Sequence, residues 1–323
     1  MIKNLLTTLL KIAVSGVILY FLFRGMDIGL FWQTVRSVNP RSVVFVALFF
    51  IVIQSVSAYR WSIILKKDLE VPYLKLLSIY FIGMFFNNFL PTMVGGDIIK
   101  GYYLFRETRK GGVAVASIFM DRYSGFSALI VITTIALVPG YALIKGTALP
   151  GFFVLLIGGY VGASLIIWVG PLHNWAMGIF ARIHFYGINN KIDALYRVLM
   201  SYKSHHGILV RIFIISIVVQ TGVMIGYYIL SRGLGIDVGL AYFFLFIPLA
   251  TVVSMMPISL AGLGLREGAF VYLFTRVGAS REEALTLSLM WFAIMAIVSM
   301  IGGIEFLRRG GKKGEVPEKA AEI

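Results

Sequence analysis

The segment "NNFLPTMVGGDIIKGYY", residues 87–103, interrupts an apolar run with two asparagines, a proline, a glycine pair, an aspartate and a lysine. Proline lacks a donor and clashes with the turn before it, and glycine frees the backbone, so an uninterrupted membrane helix is disfavoured at this point. Broken backbone survives at membrane depth only where protein or a watery cavity satisfies it. The stretch therefore reads as the tip of a broken helix. It has a counterpart: Pro91, Gly96 and Lys100 recur at the same spacing as Pro257, Gly262 and Arg266. The two breaks are expected to form one polar site inside the bilayer.

The rest of the chain supplies the membrane setting. Of 323 residues, 59% are hydrophobic and only 14% charged, and the mean hydropathy is +0.88, far from the balance of a soluble domain. The net charge of +14 reads as a topology signal and an affinity for anionic headgroups rather than for nucleic acid. With no cysteine there is no disulfide, thiolate nucleophile or sulfur metal site. The four histidines all fall between positions 173 and 206, outside the apolar stretches, so neither a metal nor another cofactor is expected. The N-terminal "MIKNLLTTLLKIAVSGVILYFLFRG" resembles a signal peptide in outline. Lys11 interrupts its apolar region and no small-x-small site follows, so it reads as an uncleaved helix.

Windows of about 20 apolar residues, the length a bilayer core requires, fall near 42–65, 113–138, 149–169, 208–231 and 284–307, with a weaker one near 5–23. The stretches 74–105 and 240–275 are each broken in the middle and read as re-entrant hairpins of two half-helices. With six spans, two hairpins and both termini inside, the cytoplasmic segments collect 20 of the 29 Lys and Arg residues and the outer loops seven. That asymmetry matches the positive-inside rule. The prediction is an all-α polytopic membrane protein, multi-pass in the plasma membrane of a prokaryote, with one transmembrane domain over 1–307 and a basic cytoplasmic tail over 308–323.

In this topology the first hairpin opens to the cytoplasm and the second to the outside. A shift of 166 residues lays 42–138 on 208–304, hairpin on hairpin, and brings Gln54 and Ser55 onto Gln220 and Thr221. This predicts an inverted repeat, linked by 139–207. Such repeats with broken helices are a recurring transporter plan, with the substrate held near the midplane. Within the linker, Ile188, Ile192, Leu195, Leu199 and Tyr202 follow helical spacing, as in a helix lying on the cytoplasmic surface.

A half-helix that starts inside the membrane leaves its first N–H groups unpaired at the positive end of its dipole, an attractive place for an anion. The second half-helices are expected to begin near Gly95–Asp97 and near Gly262–Gly264, each bringing a cation, Lys100 or Arg266, within about its first turn. Asn87, Asn88, Thr92 and Ser259 are placed to bond freed backbone or a headgroup. Asp97 and Glu267 suit a helix N-terminus, and they are also suited to neutralise the two cations or to carry a coupling proton. Asp121 and Arg122 lie about eight residues into their span, roughly 12 Å deep; being adjacent, they point in different directions and need separate partners, with Asp97 or Glu267 available to Arg122. A blander reading has all these groups satisfying only one another and the broken backbone.

The segments "FFNNFLPTMVGGDIIKGYYL", "SIFMDRYSGF" and "PISLAGLGLREGAFVYLF" together resemble the signature segments of the lysylphosphatidylglycerol synthase transmembrane-region family, the flippase-like or UPF0104 membrane proteins. The similarity runs from about residue 10 to 308. In the synthases this part moves aminoacylated phosphatidylglycerol between leaflets, and a separate cytosolic domain attaches the amino acid. The resemblance thus implies a lipid translocator without that transferase, acting on an anionic or zwitterionic phospholipid or a lipid-linked headgroup. It carries over to Asn88, Pro91, Gly95, Gly96, Asp97, Lys100, Asp121, Arg122, Pro257, Gly262, Gly264, Arg266 and Glu267. Lys100 stands where arginine is expected in many relatives, and lysine binds phosphate as a point charge rather than as a fork. The implied partners are the membrane lipid and, from the company the family keeps, a lipid-modifying or glycosyl-transfer enzyme; a homo-oligomer is left open. Two other classes stand beside the translocator: a membrane-embedded lipid or polyprenyl-linked glycosyl transferase, and a non-catalytic partner subunit of such an enzyme.

Overall fold

The computed structural model describes residues 2–90, 95–147, 149–182, 188–255, 259 and 262–309. Among them every long regular element is a helix: α1 (Ile2–Arg24), α2 (Ile28–Ser37), α3 (Pro40–Leu65), α4 (Tyr73–Phe89), α5 (Gly95–Thr108), α6 (Gly111–Ile144), α7 (Leu149–Trp168), α8 (Gly170–Arg182), α9 (Ile188–Lys203), α10 (His206–Gly233), α11 (Leu240–Ser254), α12 (Leu265–Phe274) and α13 (Arg281–Arg308). Five of these, α3, α6, α7, α10 and α13, are long and apolar enough to cross a bilayer, and α1 with α2 makes a sixth candidate. At 1.5 Å per residue, the 17 residues of α4, 14 of α5, 15 of α11 and 10 of α12 fall short of the roughly 30 Å required. The chain is an all-α, multi-pass membrane protein.

Three departures from the sequence reading have simple causes. The first helix is followed by α2, which turns away from it by 94°; Asp27 caps α2 by accepting a hydrogen bond from the Leu30 N–H at 3.0 Å. A ten-residue helix is shorter than any window used to find spans. Second, α6 continues through Pro139 to Ile144 instead of ending at 138, so the linker starts later. Third, Arg60 and Lys100, counted among cytoplasmic charges, are buried. Eighteen cytoplasmic cations against seven remain on the sequence count, so the bias survives.

Helix contacts come in matching pairs. Helices α3 and α10 lie along each other, α4 packs on α13 and α11 on α6, while α4 contacts α5 as α11 contacts α12. Exchanging α3–α6 with α10–α13 maps each contact onto another of the set. Lipid tails are as apolar as leucine, so helix association rests on close fit and on interhelical hydrogen bonds. Where α4 crosses α13, a Cβ on Gly302 would lie 1.9 Å from the Phe81 carbonyl oxygen, so only glycine permits the approach. Trp61 Nε1 donates to Ser117 Oγ at 3.1 Å, tying α3 to α6.

The linker helix α9 packs against α6 and α10. Its Leu199 and Tyr202 are buried with Trp61, Ile64 and Leu76, and the Tyr202 hydroxyl donates to the Ile64 carbonyl at 3.2 Å. That burial, with the Asp68 carboxylate near it, pushes the Tyr202 phenol up from its ordinary value. The side chains of Ile188, Ile192 and Leu195 lie outside the described residues.

Candidate functional site

The two hairpins converge on one cavity of about 660 Å³, within the usual range for ligand pockets. From the first hairpin and its neighbours it is lined by Asn87, Asn88, Asp97, Lys100, Asp121 and Arg122, and from the second by Arg266. Gln54 and Gln220, the pair matched by the 166-residue shift, face the same space. Most of the remaining wall is aromatic or aliphatic, with Phe50, Phe126, Leu129, Tyr227, Trp291 and Met295 among it.

Local structure explains how α5 begins in this setting. Asn87 Oδ1, at the end of α4, accepts from the Gly96 N–H at 2.8 Å and so satisfies one of the helix's orphan donors. The approach is tight: a Cβ on Gly96 would sit 1.8 Å from the Gly83 carbonyl oxygen and 2.6 Å from the Asn87 side chain. Gly95 is buried beside it. Because α5 starts at Gly95, Asp97 is its third residue and Lys100 its sixth, so the lysine lies deeper along the helix than the first turn.

Lys100 is also not a free cation. Only 4% exposed, its Nζ is 3.5 Å from Asp97 Oδ1 and 3.6 Å from Asp121 Oδ2, over the rings of Tyr80 at 4.4 Å and Trp61 at 5.1 Å. Asp121, 2% exposed, takes Arg60 Nε on its other oxygen at 2.9 Å, and Arg60 in turn donates to Ser216 Oγ at 2.9 Å. Arg122 donates from Nε to Asp97 Oδ2 at 2.7 Å. The result is a continuous alternation, Arg60, Asp121, Lys100, Asp97, Arg122, running across α3, α6 and α5. Asp121 and Arg122 do point to separate partners. Arg60 was missed because it stands one residue before Trp61 near the end of an apolar run, where a charge normally reaches the interface.

The second hairpin is arranged differently. Gly262 and Gly264 have φ of +81° and +84°, a region that costs other residues roughly 1–2 kcal/mol, and they hold a turn until α12 begins at Leu265. Glu267, the third residue of α12, is fully buried. Its Oε2 accepts from the Gly264 N–H at 2.7 Å, and its Oε1 accepts from Arg266 and from Ser288 Oγ. Arg266 lies 4.9 Å over the Phe292 ring. Ser259 is buried, with its hydroxyl unbonded among the described residues; like Glu267, Gly262 and Gly264, it is not on the cavity wall. Pro91, Thr92 and Pro257 lie outside the described residues.

Each half-helix thus carries its own carboxylate at the third position, and the helix ends expected to cradle an anion already hold Asp97 and Glu267. The blander reading of mutual satisfaction holds for Lys100 and Glu267. It does not hold for Arg122, whose side chain is 54% exposed with one carboxylate partner. Four cations and two carboxylates line the cavity, with Glu267 behind Arg266, so the formal balance is one positive charge.

Comparison with known proteins places this geometry in a family. The description of the lysylphosphatidylglycerol synthase TM region matches residues 8–303, nearly the whole chain. The chain belongs to this family. Two proteins of Methanothermobacter thermautotrophicus, each described as a UPF0104 membrane protein, are similar to it: one is 24% identical over 320 residues, covering 89% of each chain, and another is 24% identical over 275 residues, covering 77% of this chain and 79% of its own. Family membership makes a membrane lipid-related role the natural frame for a cavity that is greasy on most sides and cationic at one exposed point.

Proposed function

We propose that this protein moves an anionic or zwitterionic lipid headgroup between leaflets through the central cavity, while the acyl chains stay in the bilayer. The observation that carries this reading is the opening of both hairpins' polar ends onto one cavity with a single net positive charge and an exposed guanidinium. A phosphodiester headgroup brings one negative charge, which that balance offsets. The Arg122 fork suits two phosphate oxygens at once, and binding would take it from Asp97. The lysine chain behind it positions Asp97 and Asp121 rather than meeting the ligand.

The topology belongs to the same proposal. If α4–α5 and α11–α12 each return to the side they came from, and α8 and α9 stay at one face, then α6 and α7 reverse the chain so that α10 runs opposite to α3. The repeat is then inverted and the hairpins enter from opposite faces, an arrangement that suits alternating access. The charge bias supports a cytoplasmic position for both termini in a prokaryotic cell.

The test is leaflet exchange of fluorescent phosphatidylglycerol and of a polyprenyl phosphate in proteoliposomes. Wild type is expected to exchange at least one of them, and Arg122→Gln to lose that activity while keeping its thermal stability, since the side chain is half exposed. Exchange by Arg122→Gln at the wild-type rate would refute the assigned role. No exchange of either lipid by wild type would shift weight to the partner-subunit reading.

A further inference from the structure

A second cleft lies between the end of α3 and the start of α10, with a volume of about 560 Å³. It is lined by Tyr59, Ile63, Lys66, Lys67, Arg211 and Ile214, with Ile208 and Ile215. It faces away from the central cavity: Tyr59 and Ile215 are on this wall, while their neighbours Arg60 and Ser216 bond to each other at 2.9 Å on the inner side. Among the described residues no carboxylate lines it.

Its residues are sorted by depth. Lys66 and Lys67 are at the end of α3, and Arg211 is in the second turn of α10, near the surface helix α9. Further into the spans, each helix offers apolar groups, Ile63 and Tyr59 on α3, Ile214 and Ile215 on α10, of which Tyr59 and Ile214 are exposed. Lys67 is engaged, since it donates to Ser201, lies over the Tyr202 ring at 4.4 Å and is 3.9 Å from Asp68. Lys66 and Arg211 are exposed, and their side chains have no hydrogen-bond or ion-pair partner among the described residues. A soluble anion needs only the cations. A cationic rim above an aliphatic trough also fits the tails.

We propose that this cleft is a binding site for an anionic phospholipid of the adjacent leaflet, its phosphate between Lys66 and Arg211 and its acyl chains along Ile63, Tyr59 and Ile214. The lipid lies on the outer face of the α3–α10 seam, separate from the transported headgroup. The assignment does not depend on transport or on which face is cytoplasmic, because the cleft is at the end of both helices in either orientation.

The experiment is native mass spectrometry of the intact protein released from nanodiscs of equal phosphatidylglycerol and phosphatidylcholine, comparing wild type, Arg122→Gln and Lys66→Gln with Arg211→Gln. A basic residue near an anionic surface contributes about 1 kcal/mol, so removal of two is expected to lower retained phosphatidylglycerol affinity about 30-fold. Arg122→Gln should keep this class of bound lipid even if it abolishes exchange, which separates failure of this site from failure of the central one. Lys66→Arg with Arg211→Lys should bind as wild type does. Equal retention of the two lipids by wild type, or unchanged phosphatidylglycerol retention by the double glutamine variant, would overturn the proposal. Displacement of the lipid by millimolar glycerol phosphate with equal affinity would make this a soluble-anion site and overturn the lipid assignment.

Discussion

The two hairpins share a plan and differ in how they neutralise charge. In α4–α5 the buried lysine is held by carboxylates from two helices, and the chain of charges runs from Arg60 on α3 to Arg122 on α6. In α11–α12 the arginine is held by the next residue in sequence, Glu267, which also caps its own helix. The first arrangement is tertiary and couples three helices; in the second the ion pair is local, and its tie to α13 is the neutral Ser288 hydroxyl. The glycines at matched positions differ as well, because Gly96 is required by backbone contact and Gly262 by its positive φ. Positions matched by the 166-residue shift thus keep a residue type for unlike physical reasons.

That contrast can be broken by substitution. Asp121→Asn leaves Arg60 and Lys100 buried with too little negative charge, and is expected to cost about 3–5 kcal/mol, the usual penalty for breaking a buried pair. Glu267→Gln keeps the acceptor for the Gly264 N–H and leaves Arg266 beside the cavity, so a smaller loss of about 1–2 kcal/mol is expected. Thermal unfolding in one detergent compares them directly. Equal losses would show that the first network is no more coupled than the second.

The glycine pair sharpens the same comparison at smaller scale. Gly96→Ala must push two backbones apart and is expected to destabilise by up to about 3 kcal/mol. For Gly262→Ala the left-handed backbone sets a cost of roughly 1–2 kcal/mol, and the added methyl also meets the Ser254 carbonyl at 2.8 Å. A larger loss at 262 than at 96 would mean that contact, rather than φ, governs both.

How much of this was legible follows from range. Spans are written in consecutive residues, so α3, α7, α10 and α13 could be placed from hydropathy within a few residues. The half-helix start at Gly95 falls in the expected Gly95–Asp97, and the start at Leu265 falls one residue beyond the expected Gly262–Gly264, because proline and glycine act locally. The shift that paired Gln54 with Gln220 also carried tertiary information, since both line the cavity. The partners of Asp121 were not legible: Arg60 is 61 residues away in sequence, and nothing in its neighbours separates a buried arginine from an interfacial one. Neutralisation of Lys100 by Asp97, three residues away on α5, is written in the sequence spacing, whereas Asp121 reaches Lys100 only once α5 and α6 pack.

The central claim is that a lipid headgroup travels through the shared cavity, and the absence of cysteine allows it to be tested by blockade. Met295 on α13 lines the cavity, and Met295→Cys places a smaller, uncharged side chain there. Leaflet exchange should persist in this variant and stop once a bulky thiol reagent has modified it, with the cysteine-free wild type unaffected by the same treatment. Exchange that continues at the unmodified rate after complete labelling would contradict the account.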